Sequence, residues 1–234
     1  MASLADVETL TPFGAASLIN DRFLLTAAHC LAPVTPREIR VILGHHKTSN
    51  LTGAVVARAA AFLMHPDFDP QDPHQRFDVA LIRLEEPLAF SERISPICLP
   101  SDETPSEGWR ELEVAGWGYT KRSGEPSDVL MHANLPEVPL DGCKRLHYAG
   151  RVTQRHICAG NASVDTCDGD SGGPLMTQDA GVDGGRVTAI GVVSWGIACA
   201  HSYYPAVFTR VSSYTDWIAS LTADARFCSN GHPG

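Results

Sequence analysis

The stretch Gly169-Asp170-Ser171-Gly172-Gly173-Pro174 surrounds a serine with glycines. A serine hydroxyl is a poor nucleophile until a base removes its proton, and that base needs a carboxylate to fix its tautomer. Glycines allow the tight backbone turn that aims two N–H groups at a developing oxyanion. The stretch therefore predicts a nucleophile at Ser171 and a histidine and an aspartate elsewhere in the chain.

Two further stretches supply those residues. Thr26-Ala27-Ala28-His29-Cys30 ends an apolar run, and Asp78-Val79-Ala80-Leu81-Ile82 places a carboxylate before a β-prone run. Taken singly, such a histidine is usually structural, such an aspartate is usually solvated, and Gly-Asp-Ser-Gly is compatible with a simple turn. Their joint presence in the order His, Asp, Ser favours a catalytic triad.

Composition and charge exclude several classes of protein. The 234 residues suit one large domain or two small ones, and the net charge of -9 leaves no basic stripe to neutralise phosphates, so we expect no nucleic-acid partner. The longest apolar run, residues 54–64, contains Arg58 and is too short to cross a membrane. The first 30 residues lack the pattern of a signal peptide, because Asp6 and Glu8 follow Met1, so we expect a mature chain that begins elsewhere or a fragment.

Short β-prone runs separated by turn residues dominate the chain and predict an all-β fold of barrels or a sandwich. The clearest runs are residues 17–26 (two runs around Asn20-Asp21), 39–43, 79–84, 112–117, 187–195 and 207–211. Residues 100–108 are rich in turn formers and predict the crossing between two halves. One helix is expected at the end, capped by Ser212 or Ser213, with a packing face formed by Tyr214, Trp217, Ile218 and Leu221.

In their order and spacing, the motifs TAAHC, DVALI, GWG, GDSGGP and SWG resemble those of the trypsin/chymotrypsin family over roughly residues 13–223. The resemblance implies two six-stranded antiparallel β-barrels with a C-terminal helix and a catalytic cleft between the barrels. The corresponding boundaries are residues 1–104, 105–211 and 212–223. His29 and Asp78 would come from the first barrel, and Ser171 from the second.

The resemblance also implies roles for other residues. The backbone N–H groups of Gly169 and Ser171 would form the oxyanion hole, and Asp165 would lie at the base of the primary specificity pocket, unless it is simply an exposed acid. The pocket would also be lined by Ser194, Trp195, Gly196 and Ala206. Ala206 replaces the usual glycine, and its methyl group would narrow the pocket. The expected function is a serine endopeptidase that cleaves after Arg or Lys in a secreted cascade, with protein substrates and protein inhibitors as partners.

No cofactor or metal is expected. Asp165, Asp168 and Asp170 have the wrong spacing for a calcium-binding EF-hand loop, and Met176 occupies the position of its final ligand.

The seven cysteines indicate an oxidising compartment, and two sequons, at Asn50 and Asn161, agree with secretion. By resemblance, Cys143 pairs with Cys158, and Cys167 with Cys199. The usual partner of Cys30 is replaced by Gly14, which leaves Cys30 without an assigned bond. Cys98 would bond to a pro-segment, and Cys228 has no assigned partner.

The beginning of the chain departs from the family pattern. The family's Ile-Val-Gly-Gly-like start, whose freed ammonium would pair with Asp170, is absent. The twelve residues before Phe13 look too few for the first strand. Asp170 would then be an unpaired buried charge, with the oxyanion hole unformed, and the polypeptide would be nearly inactive until such an N-terminus is supplied.

That departure keeps alternatives open. One is a catalytically impaired protease homologue that acts as a binding or cofactor module. A purely structural disulfide-rich domain explains none of the motifs. A cysteine protease based on Cys30 is superfluous beside a complete serine motif.

Overall fold

A computed structural model describes residues 1–72, 74–101, 112–120, 124–148, 150–161, 163–178, 186–197, 199, 203–225 and 227. Its strands form two antiparallel sheets. The first sheet contains β1 (Ala2–Asp6), β2 (Pro12–Leu18), β3 (Phe23–Thr26), β4 (Ile39–Leu43), β5 (Val55–Ala57), β6 (Ala59–Met64) and β7 (Ala80–Leu84). The second contains β8 (Leu112–Gly116), β9 (Met131–Leu135), β10 (Glu137–Val138), β11 (His156–Ala159), β12 (Pro174–Gln178), β13 (Val187–Trp195) and β14 (Ala206–Arg210). The short helices are α1 (Ala28–Leu31), α2 (Leu140–Gly142) and α3 (Thr215–Leu221).

The first sheet closes on itself through one bent strand. Its order is β5-β4-β1-β2-β3-β7-β6, so β5 and β6 lie at opposite edges. Only Arg58 separates these two strands in the chain. They are therefore two halves of one strand, of which β5 pairs with β4 and β6 pairs with β7.

The second sheet closes in the same way. Its order is β10-β11-β14-β13-β12-β8-β9, and only Pro136 separates β9 from β10. Proline has no N–H to donate to a ladder, which explains the break at this position. Counting each bent strand once leaves six strands per sheet, so the expected pair of six-stranded antiparallel barrels is confirmed.

The expectation that the residues before Phe13 are too few for a first strand is wrong. β1 pairs with β2 on one side and with β4 on the other. Its small side chains, including Ala2 and Ser3, are fully buried beside Leu4. Five residues of extended chain span about 17 Å, which is enough to cross this sheet.

The hairpin between β2 and β3 matches the predicted division around Asn20-Asp21. The Asn20 side chain, which is buried, accepts hydrogen bonds from the backbone N–H groups of Arg22 (2.9 Å) and Phe23 (2.7 Å). This contact fixes the turn, and it sends β3 back into the core directly ahead of His29.

The C-terminal helix is shorter than expected and is not capped by serine. A 3₁₀ turn covers Val211–Ser213, and α3 then begins after Tyr214 without a side-chain cap. Tyr214 and Ile218 are buried in the core of the first barrel, whereas Leu221 is 36% exposed. The helix thus packs on the barrel that is distant in sequence. The expected boundary at residues 104–105 lies outside the described residues.

Among the described residues, no helix is both long and apolar enough to span a membrane.

Candidate active site

The pairing of β3 with β7 brings His29 beside Asp78. Thr26 pairs with Ala80 at one end of the two antiparallel strands. His29 follows Thr26 in the chain and Asp78 precedes Ala80, so both residues lie at this end of the strand pair. His29 Nδ1 lies 2.8 Å from Asp78 Oδ2, and the His29 backbone N–H donates to Asp78 Oδ1 at 2.9 Å. With Nδ1–H donated to the carboxylate, Nε2 is the nitrogen left to act as a base.

Asp78 is completely buried, and the second barrel supplies its remaining partners. Ser194 Oγ, on β13, donates to Asp78 Oδ2, and Thr209 Oγ1, on β14, donates to the Asp78 carbonyl at 2.8 Å. The sequence assigned Ser194 only to the wall of the specificity pocket. The available signal was a hydroxyl donor next to Trp195, but the residue to which it donates lies 116 positions away in the chain.

The imidazole of His29 has two acidic neighbours. Burial lowers its pKa, but the hydrogen bond and negative charge of Asp78, together with the Cys30 sulfur, outweigh this effect and raise the pKa to about 10. Cys30 Sγ lies 3.6 Å from His29 Nε2. The sequence did not indicate this contact.

The loop that carries Ser171 packs against the segment that leads to His29. The Ala15 N–H donates to the Ser171 carbonyl at 2.8 Å. Gly172 adopts a φ of +80°, and a Cβ there would lie 2.2 Å from Thr26 Oγ1. Only glycine permits this approach, so the nucleophile loop and the histidine segment meet directly across the cleft.

Two backbone N–H groups of this loop are available to a ligand. Those of Asp170, Gly172 and Gly173 donate to carbonyls at 2.9–3.0 Å. The N–H groups of Gly169 and Ser171 have no acceptor among the described residues. Gly169 adopts a φ of +92°, which suits glycine. An oxyanion hole needs backbone donors that are not already bonded within the protein, and these two N–H groups meet that condition.

Asp170 accepts hydrogen bonds from two backbone donors, although the electrostatics of the described residues give it no cationic partner. Its Oδ1 accepts from the Gly118 N–H at 2.9 Å and its Oδ2 from the Cys167 N–H at 3.0 Å. Burial nevertheless raises its pKa above the ordinary value, because these two hydrogen bonds replace water only in part. Asp170 also faces a pocket of about 250 Å³.

The predicted specificity residues converge on one pocket. A cavity of about 210 Å³ is lined by Asp165, Ser194, Trp195, Gly196 and Ala206, and also by Ser171. Asp165 is partly buried, contrary to the alternative of an exposed acid, and it accepts the Thr166 N–H at 2.8 Å. Gln75 and Thr166 also line the pocket, and the sequence had not singled them out.

The structure contains the disulfides Cys143–Cys158 and Cys167–Cys199, which the resemblance implied. The second joins two segments that line the specificity pocket. Cys30 is free and buried. Cys98 is already disulfide-bonded, so its sulfur is not available for the expected bond to a pro-segment without exchange. Cys228 lies outside the described residues.

No cluster of three or more histidine, cysteine or acidic side chains that could hold a metal ion occurs in the part of the chain that the structure describes.

Comparisons with known proteins agree with this arrangement. A family model described as Trypsin matches residues 1–218. The chain is 35% identical over 214 residues to "Trypsin 5G1" of Aedes aegypti, which covers 90% of this chain and 75% of that protein. It is 33% identical over 219 residues to "Venom serine protease 34" of Apis mellifera, which covers 91% of this chain and 53% of that protein. The chain thus spans about half the length of the venom protease. The chain belongs to the trypsin family of serine proteases.

Proposed function

We propose that this chain is a serine endopeptidase that hydrolyses peptide bonds after Arg or Lys. The observation that carries the proposal is the shared pocket of Ser171 and Asp165. A carboxylate that lines the same pocket as the nucleophile favours a cationic side chain next to the bond being cleaved.

The proposed mechanism assigns one step to each group. Ser171 Oγ attacks the carbonyl carbon while its proton passes to His29 Nε2. Asp78 stabilises the resulting imidazolium through Nδ1, where it lies 2.8 Å away. The Gly169 and Ser171 N–H groups bind the oxyanion. His29 then protonates the leaving amine, and a water molecule, deprotonated by His29, releases the acyl group from Ser171.

The specificity pocket supports a preference for basic side chains. A substrate guanidinium or ammonium that reaches Asp165 loses its water, so the carboxylate provides the compensating charge. Ala206 is 3% exposed, and it lines the same pocket as Gly196. We propose that the Ala206 methyl group limits the rate for long basic side chains.

The pocket beside Asp170 supports a second part of the proposal. A carboxylate with a raised pKa beside a cavity is stabilised by a cation placed there. We propose, as in the family, that a freed N-terminal ammonium occupies this position and fixes the loop from Gly169 to Ser171. Secretion, a role in a proteolytic cascade and control by protein inhibitors belong to the same proposal.

Profiling with a peptide library tests the specificity. The Asp165→Ser variant should lose about thirtyfold to several thousandfold in kcat/KM for Arg and Lys substrates, because removal of a buried charge partner costs about 2–5 kcal/mol. Asp168→Ser is the matched control, since Asp168 lines the same pocket but is exposed. Ala206→Gly should raise the rate. A preference of the unmodified protein for Phe or Leu at the cleaved position would overturn the proposal.

A further inference from the structure

The free thiol of Cys30 lies against the nitrogen that the mechanism uses as its base. Its Sγ is 3.6 Å from His29 Nε2, whereas Asp78 occupies Nδ1 on the other side of the ring. Cys30 is 7% exposed, so bulk water does not separate the sulfur from the imidazole. The catalytic imidazole is therefore flanked by two groups that can carry negative charge.

Gly14 explains why this thiol is free. A Cβ built on Gly14 lies 3.5 Å from Cys30 Sγ and 3.9 Å from Cys30 Cβ. The two Cβ atoms of a disulfide are typically about 3.5–4.5 Å apart. A cysteine at position 14 would therefore be placed to bond Cys30, and glycine leaves the sulfur unbonded beside His29.

We propose that Cys30 is a second partner of His29, whose thiol competes with Ser171 for Nε2 and thereby sets the pH range in which His29 acts as a base. The inference rests on the proposed function in one respect, namely that His29 is the general base. It assigns to Cys30 the role of a positioning residue that acts through the imidazole.

The competition consists of one proton transfer. The proton on Cys30 Sγ moves to His29 Nε2, which produces a thiolate beside an imidazolium, and no other bond forms or breaks. The imidazolium cannot accept the proton of Ser171. Its other neighbours from the packed elements are the Asp78 carboxylate and the neutral hydroxyls of Ser194 and Thr209, which contact Asp78.

The electrostatics of the site agree with this geometry. Burial lowers the pKa of His29, while the hydrogen bonds and charges of Asp78 and Cys30 raise it. Removal of the thiol should lower the pKa of His29, and the base should then become available at lower pH. The His29 pKa should fall both when the thiol is deleted and when it is bound in a disulfide.

A histidine titration tests the pair without reference to catalysis. In ¹⁵N-labelled protein, the His29 signal is identified by its loss in His29→Ala and followed with pH in the unmodified chain, Cys30→Ala and Cys30→Ser. The His29 pKa should fall by about one unit or more in both cysteine variants, since the remaining hydroxyl or methyl group cannot ionise in this range. An identical His29 pKa in all three proteins would overturn the proposal.

A second pair of variants provides the kinetic test and keeps the sulfur in place. Gly14→Cys should form a disulfide with Cys30, verified by the mass of the intact protein, whereas Gly14→Ala adds the Cβ and leaves the thiol free. The acid limb of kcat/KM for a small Arg ester should move to lower pH in Gly14→Cys only, with about a tenfold gain per pKa unit along that limb.

The two readouts separate the two claims. With a freed N-terminal ammonium supplied to each protein, a shifted His29 pKa without hydrolysis in any of them would support the pair and refute the proposed function. Hydrolysis with superimposable pH profiles, and with the same His29 pKa in all variants, would support the proposed function and refute the pairing of Cys30 with His29.

Discussion

The environment of Asp78 shows how one residue organises the site. A buried carboxylate is costly unless donors replace the lost water. Here the donors are the backbone and ring N–H groups of His29 and the hydroxyl of Ser194, while Thr209 satisfies the Asp78 carbonyl. Two of these three partners come from the second barrel. The Asp78 carboxylate, the third member of the proposed triad, therefore also joins the two halves of the molecule.

His156 gives the fold a pH dependence of its own. The ring is 1% exposed, its Nδ1 accepts the Thr153 N–H at 3.0 Å, and burial lowers its pKa to about 4. A depressed histidine pKa means that the folded state binds fewer protons than the unfolded state between pH 4 and 6.5. The stabilisation is complete above the unfolded pKa and is lost as the pH falls towards the folded pKa.

We predict that lowering the pH from about 7.5 to about 4.5 removes about 2–3 kcal/mol of unfolding free energy through His156. Urea unfolding at both pH values measures the change. His156→Gln is the control, because glutamine keeps an acceptor for the Thr153 N–H but does not titrate. Its unfolding free energy should fall by about 2–3 kcal/mol less over the same pH change. If both proteins lost the same free energy, the buried neutral state assigned to His156 would be wrong.

At the scale of elements, the end of β8 and the turn that follows it shape the nucleophile loop. A Cβ on Gly116 would lie 1.9 Å from Asp170 Oδ1, and one on Gly118 would lie 2.6 Å from the same atom. Because the two glycines of the GWG motif have no side chains, the Asp170 carboxylate can occupy the space beside them. Asp170 in turn lies in the chain between Gly169 and Ser171, whose N–H groups have no acceptor among the described residues.

Gly118→Ala should displace Asp170 and slow hydrolysis by about a hundred- to a thousandfold, the usual cost of losing one oxyanion donor. The rate with a small Arg ester and the thermal unfolding midpoint should be measured together. Gly142→Ala is the matched control, because a Cβ on Gly142 meets no atom within 4 Å and its φ is helical. An unchanged rate in Gly118→Ala would show that Asp170 does not shape the oxyanion hole.

The sequence predicts elements well where their signal is local. Runs such as residues 39–43 and 187–195 coincide with β4 and β13. The prediction missed β1, because small alanines and a serine provide little alternation, and it did not foresee that Arg58 and Pro136 divide two bent strands. The expected serine cap of α3 failed because a 3₁₀ turn already uses Ser212 and Ser213.

At the scale of the whole molecule, the site depends on contacts that no local pattern reveals. The motifs identified His29, Asp78 and Ser171 separately, since each lies in a short and distinctive stretch. The donation from Ser194 to Asp78 depends on how the barrels dock. The approach of Cys30 Sγ to His29 Nε2 depends on how the fold places both side chains, which adjacency in the sequence does not determine. These features required the structure.

The central claim is that the docked barrels activate Ser171 as a nucleophile. The most direct test is fluorophosphonate labelling of the folded chain after a family-type N-terminus with a freed ammonium has been supplied. Attack by Ser171 Oγ on phosphorus displaces fluoride and leaves one covalent label per chain, which peptide mapping should locate at Ser171. Ser171→Ala should abolish labelling while the protein stays folded, and His29→Ala should slow labelling by about a thousandfold or more. Heat-unfolded protein should not react. Failure of this ammonium-bearing form to react, or equal labelling of Ser171→Ala, would contradict the account and favour a binding module that keeps the protease fold.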